Sequence, residues 1–263
     1  MSDAKHPYQN FVRDLDKILE KGEKLPCGGF KTGKSFVAKA KAPLVLILAP
    51  HPDDECLTGA LPLRLQREAG WRVAVAPVTL GSRVDRRSAR LKELKAACRF
   101  LSWDVLAPGD AGLPDLMRRE APSLVLMPHA KDANSTHRKV HQMGLRTLGR
   151  DTRTLVAETE YWSTMENPNL MVETDRGDTA DLIAALSCHR GEVGRNPYHV
   201  LLPCWLADGA RRGAELVGGQ GSKATKIRFA TLYRLSRWNG RALARASGPG
   251  RVCGARADIA KAI

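Results

Sequence analysis

The sequence predicts an α/β fold in which a mostly parallel sheet lies between two layers of helices. Two observations lead to this prediction. Short aliphatic runs alternate with segments of helical periodicity between residue 44 and about residue 150, and this alternation is typical of strand–helix–strand units. The first run, LVLILA at residues 44–49, is continuously apolar, as in a parallel strand that helices cover on both faces.

The same periodicities place the other elements. Further strands are predicted at residues 71–80, 103–106, 123–127, 153–163 and 167–173. Helices are predicted at residues 8–22, 57–70, 86–101, 113–120 and 179–190. The first helix is amphipathic, and we expect it to lie on the main domain. Residues 191–221 have a loop-rich pattern, and residues 241–263 are expected to fray or to form a weak surface helix.

The composition is that of a globular protein with a strong excess of positive charge. The chain has 263 residues, of which 43% are hydrophobic, and a formal net charge of +14. Such a charge indicates attraction to nucleic acid or to a membrane surface, or else a basic protein from an Arg-rich proteome or one that attracts anionic substrates. Aromatic residues make up only 5%, so stacking platforms for nucleic-acid bases are scarce. We therefore expect a small-molecule substrate and no nucleic-acid partner. The sequence does not predict an oligomeric state.

The cysteines and the hydropathy pattern bear on location. Six cysteines are scattered without a C-x-x-C pair, which argues against a disulfide framework and against a structural zinc site. The N-terminal residues lack the apolar core of a signal peptide, and no apolar run has the length of a membrane span. The sequence therefore predicts a cytoplasmic protein that does not cross a membrane.

Polar residues with the chemistry of metal ligands follow the first strand. The segment APHPDDE contains His51, Asp53, Asp54 and Glu55, and open α/β sheets bind their ligands at the carboxyl ends of the strands. Imidazole and carboxylate groups bind divalent metals, and a neighbouring carboxylate can act as a base. As an alternative, the two aspartates would cap the next helix, but this would not account for His51.

A second polar cluster follows the strand at residues 123–127. The cluster contains four residues of metal-binding type, His129, Asp132, His137 and His141. The last two are four residues apart and so share one face of a helix, which Ser135 or Thr136 can cap. Right-handed crossovers place the ends of parallel strands at one edge of the sheet. A metal site therefore explains the two clusters together better than a polar loop explains either.

A different function is suggested by GGFKTGKS at residues 28–35. Its glycines and the pair Lys34–Ser35 have the spacing of a phosphate-binding P-loop, which would make the chain a nucleotide-binding protein. A P-loop needs a strand before it and a helix after it, whereas Pro26 and Pro43 interrupt the two flanks. A Gly/Lys-rich linker is the preferred interpretation. A third possibility is a basic binding protein that has the fold but no catalytic activity.

The two clusters together resemble the PIG-L/LmbE-like deacetylase family. APHPDDE follows a hydrophobic strand, and a D-x-x-x-x-H segment follows another strand about eighty residues later. The resemblance continues in RLKELKAACRFL and ALSCHRGEVGRNPYH. It implies a Rossmann-like three-layer sandwich with a deacetylase core at residues 44–200, an N-terminal helix and linker at 1–43, and a C-terminal extension or cap with a basic tail at 201–263.

The resemblance also implies a reaction and a set of site residues. The family's enzymes are zinc-dependent hydrolases that remove an N-acetyl or similar acyl group from an amino sugar or glycoconjugate. The metal ligands would be His51, Asp54 and His137, with Zn²⁺ or another divalent ion bound. Asp53 would be the general base that takes a proton from the metal-activated water.

The sequence departs from the family pattern at the proton donor. Asn134 stands where the family has a histidine, and an amide donates a hydrogen bond but does not deliver a proton at neutral pH. His189 or His129 would then supply this function. Gly191 and Glu192 replace the serine and the glutamine that the family usually has at these positions.

Three residues are predicted to contact the substrate. Arg90 matches a basic position of the family and would bind a substrate hydroxyl or anionic group, although a solvated helix arginine is the alternative. His129 and Asp132 are expected beside it, at the carboxyl edge of the sheet.

Overall fold

Nine strands and nine α-helices make up the described part of the chain in this computed structural model, which comprises residues 6–31, 36–39, 41–108, 112–150, 153–222, 226–245 and 249–263. The strands are β1 Leu44–Ala49, β2 Arg72–Pro77, β3 Asp104–Val105, β4 Leu124–Pro128, β5 Leu155–Thr159, β6 Leu170–Glu173, β7 Ala230–Trp238, β8 Leu243–Arg245 and β9 Arg251–Cys253. The helices are α1 Pro7–Glu23, α2 Asp54–Leu57, α3 Ala60–Ala69, α4 Arg87–Leu101, α5 Gly112–Glu120, α6 Ser135–Thr147, α7 Arg176–Leu186, α8 Arg190–Val193 and α9 Leu202–Leu216.

The strands form one sheet in the order β3-β2-β1-β4-β5-β7-β6-β9, with β8 paired to β7. The first five strands in this order are parallel, and β7 runs antiparallel to both of its neighbours, β5 and β6. β1 lies inside the parallel half, where Ile47 pairs with Val75 on one side and with Leu126 on the other. The predicted mostly parallel sheet is confirmed.

Helices cover both faces of the sheet around β1. All six residues of β1 are buried, and successive side chains of a strand point to opposite faces. Ile47 and the residues two positions away belong to a core shared with α3, α4 and α7. Leu46 and its alternate neighbours belong to a second core shared with α5 and α6. These two cores explain why the sequence of β1 is continuously apolar, and they give the three layers that the sequence predicts.

The neighbouring strands β1, β4 and β5 end at the same edge of the sheet. Backbone hydrogen bonds continue past the strand ends, from Val78 N to Ala49 O at 2.8 Å and from His129 N to Thr159 O at 3.2 Å. The loops that leave these strands are therefore fixed side by side. This edge brings together the two polar clusters of the sequence and adds to them the residues that follow β5.

Two expectations for the C-terminal part of the chain are wrong. Helix α9 occupies residues with a loop-rich pattern, and β8 and β9 pair with β7 and β6 where we expected a frayed tail. The glycines of α9 account for the first error. A Cβ atom at Gly209 would lie 2.3 Å from the carbonyl oxygen of Ala230, and one at Gly213 would lie 2.3 Å from Met171 Sδ. The glycines thus allow close packing of α9 on the sheet and do not break the helix.

The N-terminal helix forms as predicted, but its apolar face is not packed. No residue of α1 is buried, and Phe11, Leu15 and Ile18 are 66%, 40% and 63% exposed. The expectation that this face lies on the main domain is therefore wrong. Neither α1 nor any other helix of the described residues is long and apolar enough to cross a membrane.

The P-loop-like segment lies partly outside the described residues, which omit 32–35. Its described flanks, residues 24–31 and 36–39, contain neither a strand nor a helix. Gly28 donates its N–H to Ser187 Oγ at 3.0 Å, so the start of the segment is attached to the end of α7. The flanking elements that a phosphate-binding loop requires are thus missing from the described part of the segment.

A buried carboxylate connects β5 with β7 and α6. Glu158 is 1% exposed and accepts hydrogen bonds from Arg234 Nη2 at 2.6 Å and Nε at 2.7 Å. His141 Nε2 lies 3.0 Å from Glu158 Oε1. Burial works against ionisation, but His141 and Arg234 outweigh it and lower the pKa of Glu158 to about 2. The ionised carboxylate therefore stabilises the antiparallel pairing of β5 and β7.

The variant Glu158→Gln should lower the free energy of unfolding at pH 7 by about 3 kcal/mol, because it removes the buried carboxylate that compensates the Arg234 guanidinium. The folded-state pKa lies below the ordinary value of 4.5, so the wild-type advantage is complete above about pH 5 and declines as the pH falls toward about 2. Urea titrations over this range measure the difference. Glu166→Gln, which removes the exposed ion pair with Lys131, should change stability by less than about 0.5 kcal/mol. A difference that does not vary with pH would contradict the assignment.

Candidate metal and catalytic site

The chain turns sharply between β1 and α2. Asp53 has φ 120° and ψ −34°, a conformation that residues other than glycine rarely adopt. Its N–H donates to Glu55 Oε2 at 2.8 Å, and its carbonyl accepts from Cys56 N at 3.1 Å. The turn places Asp53 and Asp54 side by side at the end of β1 and gives the two carboxylates different neighbours.

Asp54 lies between two imidazoles. Its Oδ2 atom is 3.2 Å from His51 Nδ1 and 3.3 Å from His137 Nε2. The three side chains offer ligand atoms that all lie within 4.8 Å of one another, with Asp54 and His137 buried. Burial raises the pKa of Asp54, but the two adjacent imidazoles outweigh it and lower this pKa to about 2. The residues from the two polar clusters therefore converge, as the sequence predicts.

These three residues fit a divalent cation. Zinc ligands lie about 2.0–2.1 Å from the ion, which separates tetrahedral ligands by about 3.3 Å, and the two measured spacings agree with this value. Both ring nitrogens of His137 are buried, and neither makes a hydrogen bond within the described part of the chain. A cation on His137 Nε2 would give this nitrogen a partner. Two imidazoles and one carboxylate form the donor set of a catalytic site that leaves coordination positions open.

Asp132 lies behind the ring of His137. Its Oδ1 atom is 3.6 Å from His137 Nδ1, the nitrogen on the side away from Asp54. Burial works against protonation of the imidazole, but Asp132 and Asp54 outweigh it and raise the pKa of His137 to about 9. The Asp132 side chain is 0% exposed and accepts hydrogen bonds from the backbone of Asn134 at 2.8 Å and Trp162 at 3.3 Å. Its geometry is that of a carboxylate that orients a metal-binding histidine.

Asn134 begins helix α6. Its side-chain oxygen accepts a hydrogen bond from Thr136 N at 2.8 Å, so it is the N-cap residue. The prediction that Ser135 or Thr136 caps this helix is wrong by one or two positions. The cap fixes the first turn of α6, which carries His137.

Asp53 has a different environment from Asp54. Tyr198 donates its O–H to Asp53 Oδ2 at 2.5 Å, and Arg90 Nη2 lies 3.9 Å from Asp53 Oδ1. Burial, followed by the neighbouring Asp54 carboxylate, raises the pKa of Asp53 to about 8. A carboxylate whose pKa lies near neutral pH can both accept and return a proton.

Glu55 and His189 form a buried pair beneath this turn. Both side chains are 0% exposed, and His189 Nε2 lies 2.7 Å from Glu55 Oε1. Cys56 Sγ donates to the same oxygen at 3.3 Å. These three residues also offer ligand atoms within 4.8 Å, but the short Glu55–His189 distance is that of a hydrogen bond and leaves no space for an ion between them.

The structure brings six of the nine predicted site residues to one place at the edge of the sheet: His51, Asp53, Asp54, Arg90, Asp132 and His137. The other three lie near this place but are engaged elsewhere. His189 is separated from the edge by Glu55. His129 is 2% exposed, and its Nε2 lies 3.2 Å from the Ser163 carbonyl oxygen. The Asn134 side chain holds the N-terminus of α6.

Three aromatic residues of the site were missed at the level of sequence. Tyr161 packs its ring edge-on against His137 at a centroid distance of 4.9 Å. Trp162 is 52% exposed and contacts Tyr198 at 6.3 Å between ring centroids. Tyr161 and Trp162 come soon after β5. This position after a strand could have identified them as candidate site residues. Tyr198 had no such signal, because it reaches Asp53 from a 3₁₀ turn beyond α8.

The fold and the site define a class, the LmbE-like α/β proteins with a possible His-Asp-His metal site at the carboxyl edge of the sheet. Residues 46–148 match the family model described as PIG-L: GlcNAc-PI de-N-acetylase. The match runs from β1 to the end of α6 and includes both polar clusters. It confirms the resemblance seen in the sequence. No curated protein matches the chain significantly.

Solved structures share the fold at low sequence identity. The N,N′-diacetylchitobiose deacetylase of Pyrococcus horikoshii is 15% identical with a TM-score of 0.56, and the alignment covers 91% of this chain and 96% of that one. A deacetylase of the teicoplanin biosynthetic pathway is 17% identical with a TM-score of 0.53, over 75% of this chain and 99% of that one. The 4-carboxy-2-hydroxymuconate hydratase of Pseudomonas putida is 18% identical with a TM-score of 0.55, over 73% and 95%. One fold thus serves more than one reaction.

The variants Asp54→Asn and Asp132→Asn should separate the ligand role from the supporting role. We expect the wild type to bind one divalent ion per chain and Asp54→Asn to lose it. Asp132→Asn should still bind one ion per chain, but its affinity for the metal should be about 10- to 100-fold weaker, because the substitution disturbs only the orientation of His137. Metal content after dialysis and competition with a chelator measure the two effects. Asp115→Asn, in a surface ion pair of α5, is the control. Stoichiometric metal in Asp54→Asn would exclude this site.

Proposed function

We propose that the protein is a metal-dependent hydrolase that removes an N-acetyl or similar acyl group from an amino sugar or glycoconjugate. The observation that carries the proposal is the pairing of two unlike aspartates at the end of β1. Asp54 lies with His51 and His137 in a metal-binding geometry, while Asp53 next to it is bonded to Tyr198 and has a raised pKa. Amide hydrolysis by a metal-activated water uses a metal together with a base of this kind.

Zinc suits the ligands His51, Asp54 and His137, and another divalent ion remains compatible with them. When bound, such an ion acidifies a water molecule and polarises the amide carbonyl. Asp132 keeps the ring of His137 oriented toward Asp54. For Asp132 we therefore propose this positioning role in place of the substrate contact expected from the sequence, because its side chain is fully buried.

Asp53 moves the proton. As the water oxygen bonds to the carbonyl carbon, Asp53 accepts a proton from the water. It then returns this proton to the amide nitrogen as the C–N bond breaks, which releases the acyl group as a carboxylic acid, with the second water proton, and the sugar as a free amine. Tyr198 occupies Asp53 Oδ2, so the transfer falls to Oδ1. A single carboxylate that does both steps removes the need for a histidine at the position of Asn134.

Glu55 and His189 position this base. The amide of Asp53 is bound to Glu55, and His189 is bound to Glu55 in turn. The pair thus stabilises the uncommon backbone conformation of Asp53. We accordingly propose that His189 acts through Glu55 and does not touch the substrate. His129 and Arg90 lie near the carboxyl edge of the sheet. The guanidinium of Arg90 lies close to Asp53.

Other functions have less support. The fold by itself does not choose between hydrolysis and hydration, and the PIG-L match favours amide hydrolysis. The non-catalytic binding protein would not need the metal geometry or the strained base. Since the six cysteines are free, the protein fits the cytoplasmic location that we propose for it.

The variant Asp53→Asn tests the proposal. Release of acetate from N-acetylglucosamine derivatives should fall by about 10²- to 10⁴-fold in kcat, the usual contribution of a general base. The bound metal should stay at the wild-type level because Asp53 is not a ligand. Treatment of the wild type with a chelator should abolish turnover, and added zinc should restore it.

The matched control is Glu166→Gln, an exposed carboxylate with its ion pair on the surface, which should leave kcat unchanged. Turnover at the wild-type rate in metal-loaded Asp53→Asn would refute the role of the base. Turnover that persists without any metal would refute the class of mechanism.

A further inference from the structure

A cavity rich in arginine adjoins the candidate active site. Its volume is about 260 Å³. The residues that line it are Leu80, Ser82, Arg83, Arg86, Arg90, Gly191, Glu192 and Arg195. Four of these eight side chains are guanidinium groups. They come from the loop after β2, from the start of α4 and from the region of α8, so three separate parts of the chain build the cavity.

Arg90 connects this cavity with the candidate base. Its Nη2 atom donates to the Pro52 carbonyl at 3.2 Å and lies 3.9 Å from Asp53 Oδ1. The side chain passes close to Gly81, where a Cβ atom would lie 2.3 Å from Arg90 Nη1. Because one arginine contributes to both places, a ligand in the cavity lies within the length of a sugar substrate from Asp53.

Two guanidinium nitrogens in this region lack hydrogen-bond partners. Arg86 Nη2 and Arg90 Nε are buried and make no hydrogen bond within the described residues. Each nitrogen has a carboxylate at ion-pair distance but beyond hydrogen-bond distance, at 3.8 Å from Glu93 Oε2 to Arg86 Nη2 and 3.7 Å from Glu192 Oε1 to Arg90 Nε. Glu93 Oε2 is also buried without a hydrogen-bond partner among the described residues. The other oxygen of each carboxylate is already used, by Gly191 N at 3.0 Å and by Arg195 at 2.8 Å. Buried donors without acceptors are costly, and a bound oxyanion would satisfy them.

The place of Arg86 depends on a glycine. A Cβ atom at Gly191 would lie 1.5 Å from Arg86 Nη2, so any larger residue would displace the guanidinium. The arginine cavity therefore depends on residues that take no part in the candidate metal site.

We infer that this cavity binds an anionic group, a phosphate or a carboxylate, carried by the amino-sugar substrate. The inference rests on the proposed function and specifies its substrate class. The planar guanidinium forms paired hydrogen bonds with either oxyanion. The net charge of +14 agrees with an anionic substrate, because it raises the local concentration of anions around the protein.

Matched substrates test the inference. Acetate release is compared for the methyl glycoside of N-acetylglucosamine, its 1-phosphate, its 6-phosphate and its carboxymethyl glycoside. We expect at least one anionic compound to exceed the methyl glycoside in kcat/KM by about tenfold or more, since guanidinium groups form strong charge-assisted hydrogen bonds with an oxyanion. The two phosphates and the carboxylate distinguish the sources of the oxyanion.

Variants locate the preference in the cavity. Arg86→Gln, and Gly191→Ser through displacement of Arg86, should each reduce the ratio of anionic to neutral kcat/KM by about tenfold. Lys95→Gln removes one positive charge from an exposed position of helix α4 and should leave this ratio unchanged. A wild-type enzyme without a preference for any anionic compound, or an Arg86→Gln variant with the full preference, would overturn the inference.

Binding of inorganic phosphate separates this inference from the proposed function. Calorimetry on the metal-loaded wild type should show phosphate binding that Arg86→Gln weakens by about tenfold and Lys95→Gln does not. If no compound is deacetylated but this pattern holds, the proposed function fails and the anion site stands. If all compounds are deacetylated equally and phosphate binding does not depend on Arg86, the function stands and the inference fails.

Discussion

The structure of the site depends on the contact of one buried carboxylate, Asp54, with two imidazoles. A charge at this depth is tolerated only when it is compensated, and His51 and His137 come from different clusters of the sequence. Their convergence requires that β1 and β4 be parallel neighbours, because only then do the segments after both strands meet at one edge. The Asn134 cap and the carboxylate of Asp132 serve the same contact, since they fix the first turn of α6 and the ring of His137. A cation between these groups would turn a costly arrangement of charge into a stable one.

The second aspartate shows how neighbouring residues acquire opposite properties. Asp53 and Asp54 are both buried, yet the pKa of Asp54 is lowered to about 2 and the pKa of Asp53 is raised to about 8. The difference arises from their neighbours, because two imidazoles lie beside Asp54, whereas burial and the Asp54 carboxylate dominate the environment of Asp53. Glu55 and His189 keep the uncommon backbone conformation of Asp53 from relaxing. Strain at such a position costs of order 1–3 kcal/mol, and its presence here agrees with a functional role for the turn.

Local patterns in the sequence were enough to predict the parallel half of the sheet and the meeting of the two polar clusters, whereas the choice of His51, Asp54 and His137 as metal ligands came from the family resemblance. LVLILA predicted a doubly covered strand, and the spacing of His137 and His141 predicted one face of a helix. The antiparallel half was not predictable in this way, because β7 enters the sheet between β5 and β6 only through pairing over long sequence distances. The glycines of α9 read as helix breakers, although they serve close packing on Ala230 and Met171. Tyr198 could not be predicted either, because it is distant from Asp53 in the sequence and only the folded chain brings the two residues together.

The site has two parts with different chemistry. One part is the short-range geometry at the end of β1 and at the start of α6, which brings Asp53 and Asp54 close to His137. The other part lies around Arg86, where Gly191 makes room for a guanidinium that a serine would displace. A fold can keep one reaction centre while the residues beside it determine which substrates the site accepts. In this protein the wall that adjoins the base is cationic, and the unpartnered nitrogens on it point to what the substrate must carry.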